Sequence, residues 1–309
     1  MHACNLSRMI TSETVAGPLG RFANRLKREI LTNVTPVRWA ADGKHEERRR
    51  NWAPHLPPLD LAQAGLVSTL QRQGVRIGPL DDLAIPTTDA LKPALDRLVA
   101  PLAALPTGGA STLRPSTDDL LADLSLWQWG LQDRMLDIVE NYLGVPARYY
   151  GADVRREIGN NQTVGVRRWH RDAEDRRTVK ILVWLNDVDD QGGPYAYIPL
   201  AETLYAVDRL HYVAGFVDDA RVADMVPAGA VTAATGPKWT AVVADNCRLL
   251  HRATPPIARD RFSVTFTWSS RTPMKTEVAP DYTPDQARRI RSGLSGRQLA
   301  CLPPALARG

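Results

Sequence analysis

The spacing of hydrophobic positions changes about halfway along the chain. Before Pro146 they recur every three or four residues, the period of an amphipathic helix, as over residues 60–73 and again from Ser116 to about residue 143. After Pro146, short segments rich in Val, Ile, Thr, Trp and Tyr alternate with turn residues, which is typical of β-strands. The change predicts an α+β protein of one domain, with a helical region over about 1–144, a β core over about 145–272 and a polar C-terminal tail over 273–309.

Within the β core, several short strands follow one another with few helices between them, and this favours an antiparallel sandwich or barrel. The expected strands are residues 149–157, 164–169, 178–188, 195–198, 239–244 and 262–268. Residues 204–225 interrupt the pattern and are expected to be helical or to form a lid. In the first half, Gly74 is expected to end a helix and to lead into a short strand over 75–77, and residues 101–115 are expected to be a connector.

Composition narrows the class of protein. Of 309 residues, 44% are hydrophobic and 24% charged, which is the balance of a soluble globular protein and excludes disordered and fibrous classes. No apolar run approaches the roughly 20 residues of a membrane span, and the basic N-terminal segment lacks the apolar stretch of a secretory leader. Three widely spaced cysteines favour a reducing cytoplasm. The 39 Lys and Arg against 34 Asp and Glu are not clustered, so we expect no nucleic-acid partner and a mild preference for anionic or carrier-tethered small molecules.

Two histidines of the β core have neighbours suited to metal binding. His170 and Asp172 close a predicted strand, and residues two apart in an extended chain point to the same side. His251 follows another strand and can meet them if the sheet folds over itself. Two histidines and one carboxylate on one face are the ligands of non-haem Fe(II) oxygenases, and they leave three positions for a chelating cosubstrate and dioxygen. The alternative for a His-x-Asp pair alone is a strand-end histidine hydrogen-bonded to a turn carboxylate.

A cation downstream favours the metal interpretation. Arg261 lies ten residues after His251, and Ser263 shares its strand face. A guanidinium can bind a carboxylate through two hydrogen bonds, while the neighbouring hydroxyl donates a third. A dicarboxylate such as 2-oxoglutarate matches this arrangement, since its 2-oxo acid end can chelate iron while Arg261 and Ser263 hold its far carboxylate. In isolation, Arg261 would be interpreted as a surface salt bridge.

The order and spacing of these motifs resemble the phytanoyl-CoA dioxygenase family, which comprises Fe(II)- and 2-oxoglutarate-dependent oxygenases. The resemblance covers about residues 145–272. It is carried by Trp169-His170-Arg171-Asp172, Val183-Trp184-Leu185-Asn186-Asp187-Val188, Gly193-Pro194, Ile198-Pro199, Ala244-Asp245 through His251, and Arg261-Phe262-Ser263. One departure is Pro199-Leu200-Ala201-Glu202, where many members have a Pro-Gly-Ser-His turn, and the longer segment 200–238 is expected to shape access of the substrate.

The resemblance implies a double-stranded β-helix (jelly roll) with His170, Asp172 and His251 as iron ligands and with Arg261, helped by Ser263, as the anchor of 2-oxoglutarate. It implies hydroxylation of an unactivated C–H bond of a small molecule by dioxygen, with release of succinate and CO2. The retained Asp172 favours oxygen transfer, because in halogenating relatives that position is small. Two alternatives stay open: the same cofactors with a desaturation, cyclisation or epimerisation outcome, and a jelly-roll binding module without turnover.

Three further residues are weaker candidates. Lys180 could supply a second cation for the cosubstrate, although a solvated strand lysine is the common alternative. Asn161 could hydrogen-bond the oxo-acid end or the substrate, or it could simply form a loop. Trp184 could line the substrate site, although a core position is more usual for a strand tryptophan.

Overall fold

The structure, a computed structural model, describes residues 34–227, 229–274 and 282–307. The basic N-terminal segment for which no leader was expected therefore lies largely outside the described residues. The chain forms two compact units, residues 1–44 and residues 45–309. Residues 35–44 of the first unit belong to the helix α1 (Thr35–Trp52). All features described below belong to the second unit.

The helices of the first half begin and end where local chemistry favours it. Asp60 caps the helix α2 (Leu61–Gln73) through the backbone N–H of Gln63, whose side chain bonds back to the backbone N–H of Asp60, and Gly74 ends the helix at φ 77°. Within the described residues, no helix is long and apolar enough to cross a membrane. The further helices are α3 (Thr88–Ala104), α4 (Thr117–Leu121), α5 (Ser125–Gly130), α6 (Asp133–Leu143), α7 (Leu200–Arg209), α8 (Asp219–Ala223), α9 (Pro284–Arg291), α10 (Gly296–Cys301) and α11 (Pro304–Ala307).

Nine strands form two antiparallel sheets in the described part of the chain. The larger sheet has the order β1-β7-β4-β9-β3-β2 and the smaller one the order β6-β5-β8. The strands are β1 (Val75–Pro79), β2 (Thr112–Leu113), β3 (Ala147–Glu157), β4 (Val179–Trp184), β5 (Tyr195–Tyr197), β6 (Thr232–Ala234), β7 (Thr240–Ala244), β8 (His251–Ala253) and β9 (Arg261–Ser270). Two isolated bridges, His170 with His251 and Trp169 with Val217, widen the smaller sheet beyond β8.

From β3 onward the chain passes back and forth between the two sheets. It runs from β3 in the larger sheet to residues 169–170 in the smaller one, back to β4, over to β5 and β6, back to β7, over to β8 and back to β9. This winding is a double-stranded β-helix, and the predicted fold class is confirmed.

Three groups of buried apolar side chains hold the layers together. Helices of the first half pack on the outer face of the larger sheet, against residues such as Val264, Phe266 and Trp268. The interior between the sheets is filled by a smaller cluster that includes Trp184 and Tyr195. On the far side, α7 and α8 cover the outer face of the smaller sheet. The helices thus cover the outer faces of both sheets, and the polar residues described below share the interior between the sheets with the smaller cluster.

Some predicted elements need correction. Residues 164–169 are not a strand: Gly165 takes φ 52°, residues 165–167 form a 3-10 turn, and only residues 169–170 pair with neighbours. The buried Arg167 side chain explains the turn, because it must reach Glu157 on β3. The helix α3 was not predicted, since Pro93 and Pro101 lie within it. The segment predicted as a polar tail instead contains three short helices, whose Ile290, Cys301 and Leu306 are buried in the core.

Candidate metal centre

Two histidines lie side by side on the inner face of the smaller sheet. The backbone N–H of His170 donates to the carbonyl of His251 at 3.0 Å, and the N–H of His251 donates to the carbonyl of His170 at 2.9 Å. Directly paired residues of antiparallel strands project their side chains to the same face, so the two rings meet with centroids 4.4 Å apart. Both residues are buried, at 9% and 4% exposure.

Asp172 follows His170 by two residues, where the chain leaves the sheet. Its backbone N–H donates to the carbonyl of Asn246 at 3.0 Å, which ties it to the turn preceding His251. Its Oδ1 lies 3.5 Å from His170 Nε2 and 3.9 Å from His251 Nε2. One possible ligand atom from each of the three residues falls within 4.8 Å of the other two. Three donors gathered on one side can hold a single ion and leave its remaining positions open.

The backbone fixes the tautomer of each imidazole. His170 Nδ1 lies 2.8 Å from the carbonyl oxygen of Arg168, and His251 Nδ1 lies 3.0 Å from that of Leu249. Since a carbonyl oxygen only accepts, each Nδ1 carries the proton and donates it. A neutral imidazole in this tautomer presents the lone pair of its Nε2 toward Asp172, which is the state that a metal-binding histidine requires.

Charge at the site matches these roles. Burial opposes ionisation of Asp172, but the Lys180 ammonium, 2.6 Å from its Oδ2, and the two imidazoles hold the pKa of Asp172 well below its usual range. Burial, reinforced by His170, lowers the pKa of His251 to about 3. The centre therefore offers a carboxylate and, at His251, a neutral ring at physiological pH.

A buried guanidinium with unsatisfied donors lies in the same interior. Arg261 opens β9 directly opposite Glu157 of β3 and is 4% exposed. Its Nε and Nη1 make no hydrogen bond within the described ranges. Oε2 of Glu157 instead accepts from Arg167 Nη2 at 3.0 Å and Nε at 3.2 Å. Burial lowers the pKa of Arg261 to about 10, against the opposing effect of Glu157, so it stays protonated with donors available for an anion.

The register of β9 places Ser263 next to this guanidinium. It lies two residues after Arg261, is 4% exposed and pairs with Trp184 of β4 and Arg155 of β3. The strand therefore presents one guanidinium and one hydroxyl to the interior, as the alternation in sequence predicts.

The three weaker candidates lie in different surroundings. Lys180 lies at the triad, with its Nζ on Asp172 and 3.7 Å from Glu174 Oε1. Trp184 is fully buried; its Nε1 donates to the carbonyl of Ala234, and its ring centroid lies 5.5 Å from the Arg261 guanidinium. Asn161 is an exposed loop residue at φ 52°. The proposed substrate contacts of Trp184 and Asn161 stay predictions.

Residues that the sequence did not single out complete the surroundings. The ring of Tyr195 stacks on His251 with centroids 5.5 Å apart, and its hydroxyl donates to Asn246 Oδ1 at 2.9 Å. Phe216 makes an edge contact with His170, with centroids 5.4 Å apart. Glu157 and Arg155 lie on the inner face of β3, which only the pairing with β9 reveals. Strand alternation could have placed Tyr195 on one face, but no local signal marks Phe216.

Comparisons with known proteins give similarity to solved structures alone. No protein-family model matches the chain, and no curated protein sequence matches it. EctD from S. alaskensis, solved with 2-oxoglutarate and 5-hydroxyectoine, is 18% identical over 82% of this chain and 90% of its own, with a TM-score of 0.49. HygX from Streptomyces hygroscopicus, solved with nickel, 2-oxoglutarate and hygromycin B, is 13% identical over 74% of this chain and 94% of its own, with a TM-score of 0.47. The epimerase SnoN, solved with Fe3+, alpha-ketoglutarate and nogalamycin RO, is 15% identical over 72% of this chain and 93% of its own, with a TM-score of 0.44. Since these similarities are weak, the function proposed below rests on the residues of this chain.

Proposed function

We propose that the protein is an Fe(II)- and 2-oxoglutarate-dependent dioxygenase that hydroxylates an unactivated C–H bond of a small molecule. One observation carries the proposal: the interior of one barrel holds both the cluster of His170, Asp172 and His251 and the buried guanidinium of Arg261, whose Nε and Nη1 find no acceptor among the described residues. Either feature alone also occurs in proteins of other classes. Together they provide for a metal ion and for an anion that can bind beside it.

The donor set fits ferrous iron. Two imidazole Nε2 atoms and one carboxylate are borderline and hard ligands that suit Fe(II), and three ligands leave room for a chelating cosubstrate and dioxygen. Asp172 supplies the carboxylate that oxygen transfer needs and halogenation lacks. Lys180 on its second oxygen fixes the carboxylate and keeps it ionised.

The orphaned donors of Arg261 fit the far carboxylate of 2-oxoglutarate. Nε and Nη1 are buried and unsatisfied, which costs free energy unless an anion accepts from them. A carboxylate can accept two parallel hydrogen bonds from a guanidinium, and Ser263 can donate a third. The 2-oxo acid end of the same molecule would then chelate the iron.

When bound, iron and 2-oxoglutarate supply the oxidising power: dioxygen, 2-oxoglutarate and a C–H bond become succinate, CO2 and a C–OH group. The chain's own residues bind and orient. His170, His251 and Asp172 hold the ion, Arg261 and Ser263 hold the cosubstrate, and the apolar side chains around Trp184 and Tyr195 line the same interior. Desaturation, cyclisation or epimerisation would use the same residues, so product analysis separates these outcomes. The small-molecule substrate, dioxygen as co-substrate and a cytoplasmic location are part of the proposal.

The test is release of succinate by protein loaded anaerobically with Fe(II), then given air, 2-oxoglutarate and a panel of small molecules. We expect iron-dependent succinate, stimulated by at least one compound, and its loss in His251→Ala. Leu61→Ala is a matched control, because Leu61 is an exposed hydrophobic residue of α2 and lies outside the segment 200–238. If Fe(II) binds wild type and His251→Ala equally and neither releases succinate, the proposal is wrong and a non-catalytic module becomes the better description.

A further inference from the structure

Phe216 is the cross-strand neighbour of a proposed iron ligand. Val217 pairs with Trp169 in an antiparallel bridge, so the residue opposite His170 is Phe216. Val217 points outward into the apolar cluster under α7 and α8, and Phe216 therefore points to the same inner face as His170. Their ring centroids lie 5.4 Å apart in an edge-to-face arrangement. Across the smaller sheet the inner face then reads Tyr197, His251, His170 and Phe216, with the two ligands in the middle.

The segment that carries Phe216 is fastened to the strand that carries the ligands. The N–H of Val217 donates to the carbonyl of Trp169 at 2.7 Å. The hydroxyl of Tyr212 accepts from the N–H of Arg171, which lies between the two ligands in sequence, and donates to the carbonyl of Gly215 at 2.7 Å. Gly215 takes φ 101°, a conformation that side chains disfavour, and this turn directs Phe216 back toward the triad.

Two contacts orient the ring of Phe216 but do not cover it. The Arg168 guanidinium lies 5.4 Å from its centroid on one side, and His170 meets it on another. The backbone carbonyl of Arg168 also accepts the hydrogen bond that His170 Nδ1 donates, so one residue orients both rings. Even so, Phe216 remains 45% exposed. An aromatic ring that is held in place, partly bare and next to a metal ligand is placed to contact whatever binds beside the metal.

We propose that Phe216 determines substrate specificity by packing against an uncharged, hydrocarbon-rich part of the substrate, which places the reacting C–H bond beside the iron. The inference rests on the proposed function. Polar groups of the substrate lie away from the exposed part of this ring, because a phenyl ring offers no hydrogen bond to replace those lost to water, and the Arg168 guanidinium beside it is already paired with Asp218. The substrate class is thus a molecule with an apolar hydrocarbon portion next to the carbon that is oxidised.

The test uses Mn(II) as a paramagnetic stand-in for iron, with 2-oxoglutarate, under argon. Cyclohexanol and myo-inositol each contain a six-membered carbon ring. The ring is largely apolar in cyclohexanol and carries a hydroxyl group on every carbon in myo-inositol. We expect bound Mn(II) to broaden the ring-proton signals of cyclohexanol more strongly than those of myo-inositol. Phe216→Ala should reduce the broadening of cyclohexanol by about fivefold or more, since roughly half of the ring's apolar surface would no longer be buried by the probe. Phe216→Leu keeps apolar bulk and should retain it within about twofold.

Leu61→Ala again serves as control, as an exposed hydrophobic residue of α2 outside the segment 200–238. Equal broadening in wild type and Phe216→Ala, equal broadening of the two rings, or no broadening of either would each overturn the assignment of Phe216. Failure of the proposed function is recognised separately: Mn(II) would then bind wild type and His251→Ala with the same affinity.

Discussion

Replacing Arg261 by Met should weaken binding of 2-oxoglutarate and at the same time stabilise the ligand-free protein. Methionine approximates the length of the arginine stem and packs in the same apolar surroundings, but it removes the charge and its donors. The drop in the pKa of Arg261 from its usual 12.5 to about 10 corresponds to about 3 kcal/mol against the buried cation. Glu157 keeps its ion pair with Arg167, so no new unpaired charge is created.

The two effects have different magnitudes and signs. We expect the free energy of unfolding without ligand to rise by about 1–3 kcal/mol, the cost of unsatisfied buried donors. Loss of two charge-assisted hydrogen bonds should weaken 2-oxoglutarate binding by about 3–4 kcal/mol, or roughly 200- to 1000-fold. Metal affinity without 2-oxoglutarate should be unchanged within about threefold, because Arg261 contacts none of the three ligands.

Urea unfolding with and without 2-oxoglutarate, together with calorimetric titration of the metal-loaded protein, measures both quantities. Wild type should gain stability on adding the cosubstrate, and Arg261→Met should not. Ser263→Ala is the smaller companion change and should weaken binding by about one hydrogen bond, roughly tenfold. Tight binding of 2-oxoglutarate to Arg261→Met would refute the role of this guanidinium, and a less stable ligand-free variant would refute the claim that its burial is costly.

Two further predictions concern other buried charges. Lys180→Met leaves the Asp172 carboxylate without its ammonium partner, so the free energy of unfolding in the absence of metal should fall by about 3 kcal/mol. Saturating Mn(II) should restore most of that loss. A variant as stable as wild type without metal would contradict this prediction. Asp245 is fully buried, and burial raises its pKa to about 6 despite the Tyr142 hydroxyl that donates to it at 2.6 Å. Since its folded pKa exceeds the usual 3.8, its contribution to stability is complete below about pH 4 and is lost as pH rises through 6. Between pH 5 and 7.5 the loss is about 1.4 kcal/mol, and it should be absent in Asp245→Asn when both proteins are unfolded in urea across that range.

The sequence predicted those parts of the site that local spacing determines. Arg261 and Ser263 are two residues apart on β9 and share its inner face, as strand alternation requires. His170 and Asp172 are also two residues apart and meet as predicted, although Asp172 lies beyond the paired residues. The α+β class followed from the change in hydrophobic period. That change also located β4, β7 and β9 to within a few residues of their observed bounds.

What local spacing could not predict depends on contacts between distant segments. Arg167 lies in a turn rather than a strand because its guanidinium is buried against Glu157, a partner ten residues earlier at the end of β3. Phe216 faces His170 only because residue 217 pairs with residue 169. Asp245 also resembles an ordinary turn residue in the sequence. It does form the turn, with its Oδ1 accepting from Cys247 N at 3.1 Å, but its Oδ2 accepts a hydrogen bond from the hydroxyl of Tyr142 on the distant helix α6.

The strand β1 comes from the helical half of the chain, yet it covers the outer side of β7 along all five residues of that strand. Every residue of β7 is buried. If the barrel were expressed without the first half, β7 would become an exposed apolar edge strand with unpaired N–H and C=O groups. Another copy of the chain could then pair one of its own strands with this edge. We therefore expect the two halves to fold together, and removing residues 1–145 should yield aggregates rather than a smaller folded protein.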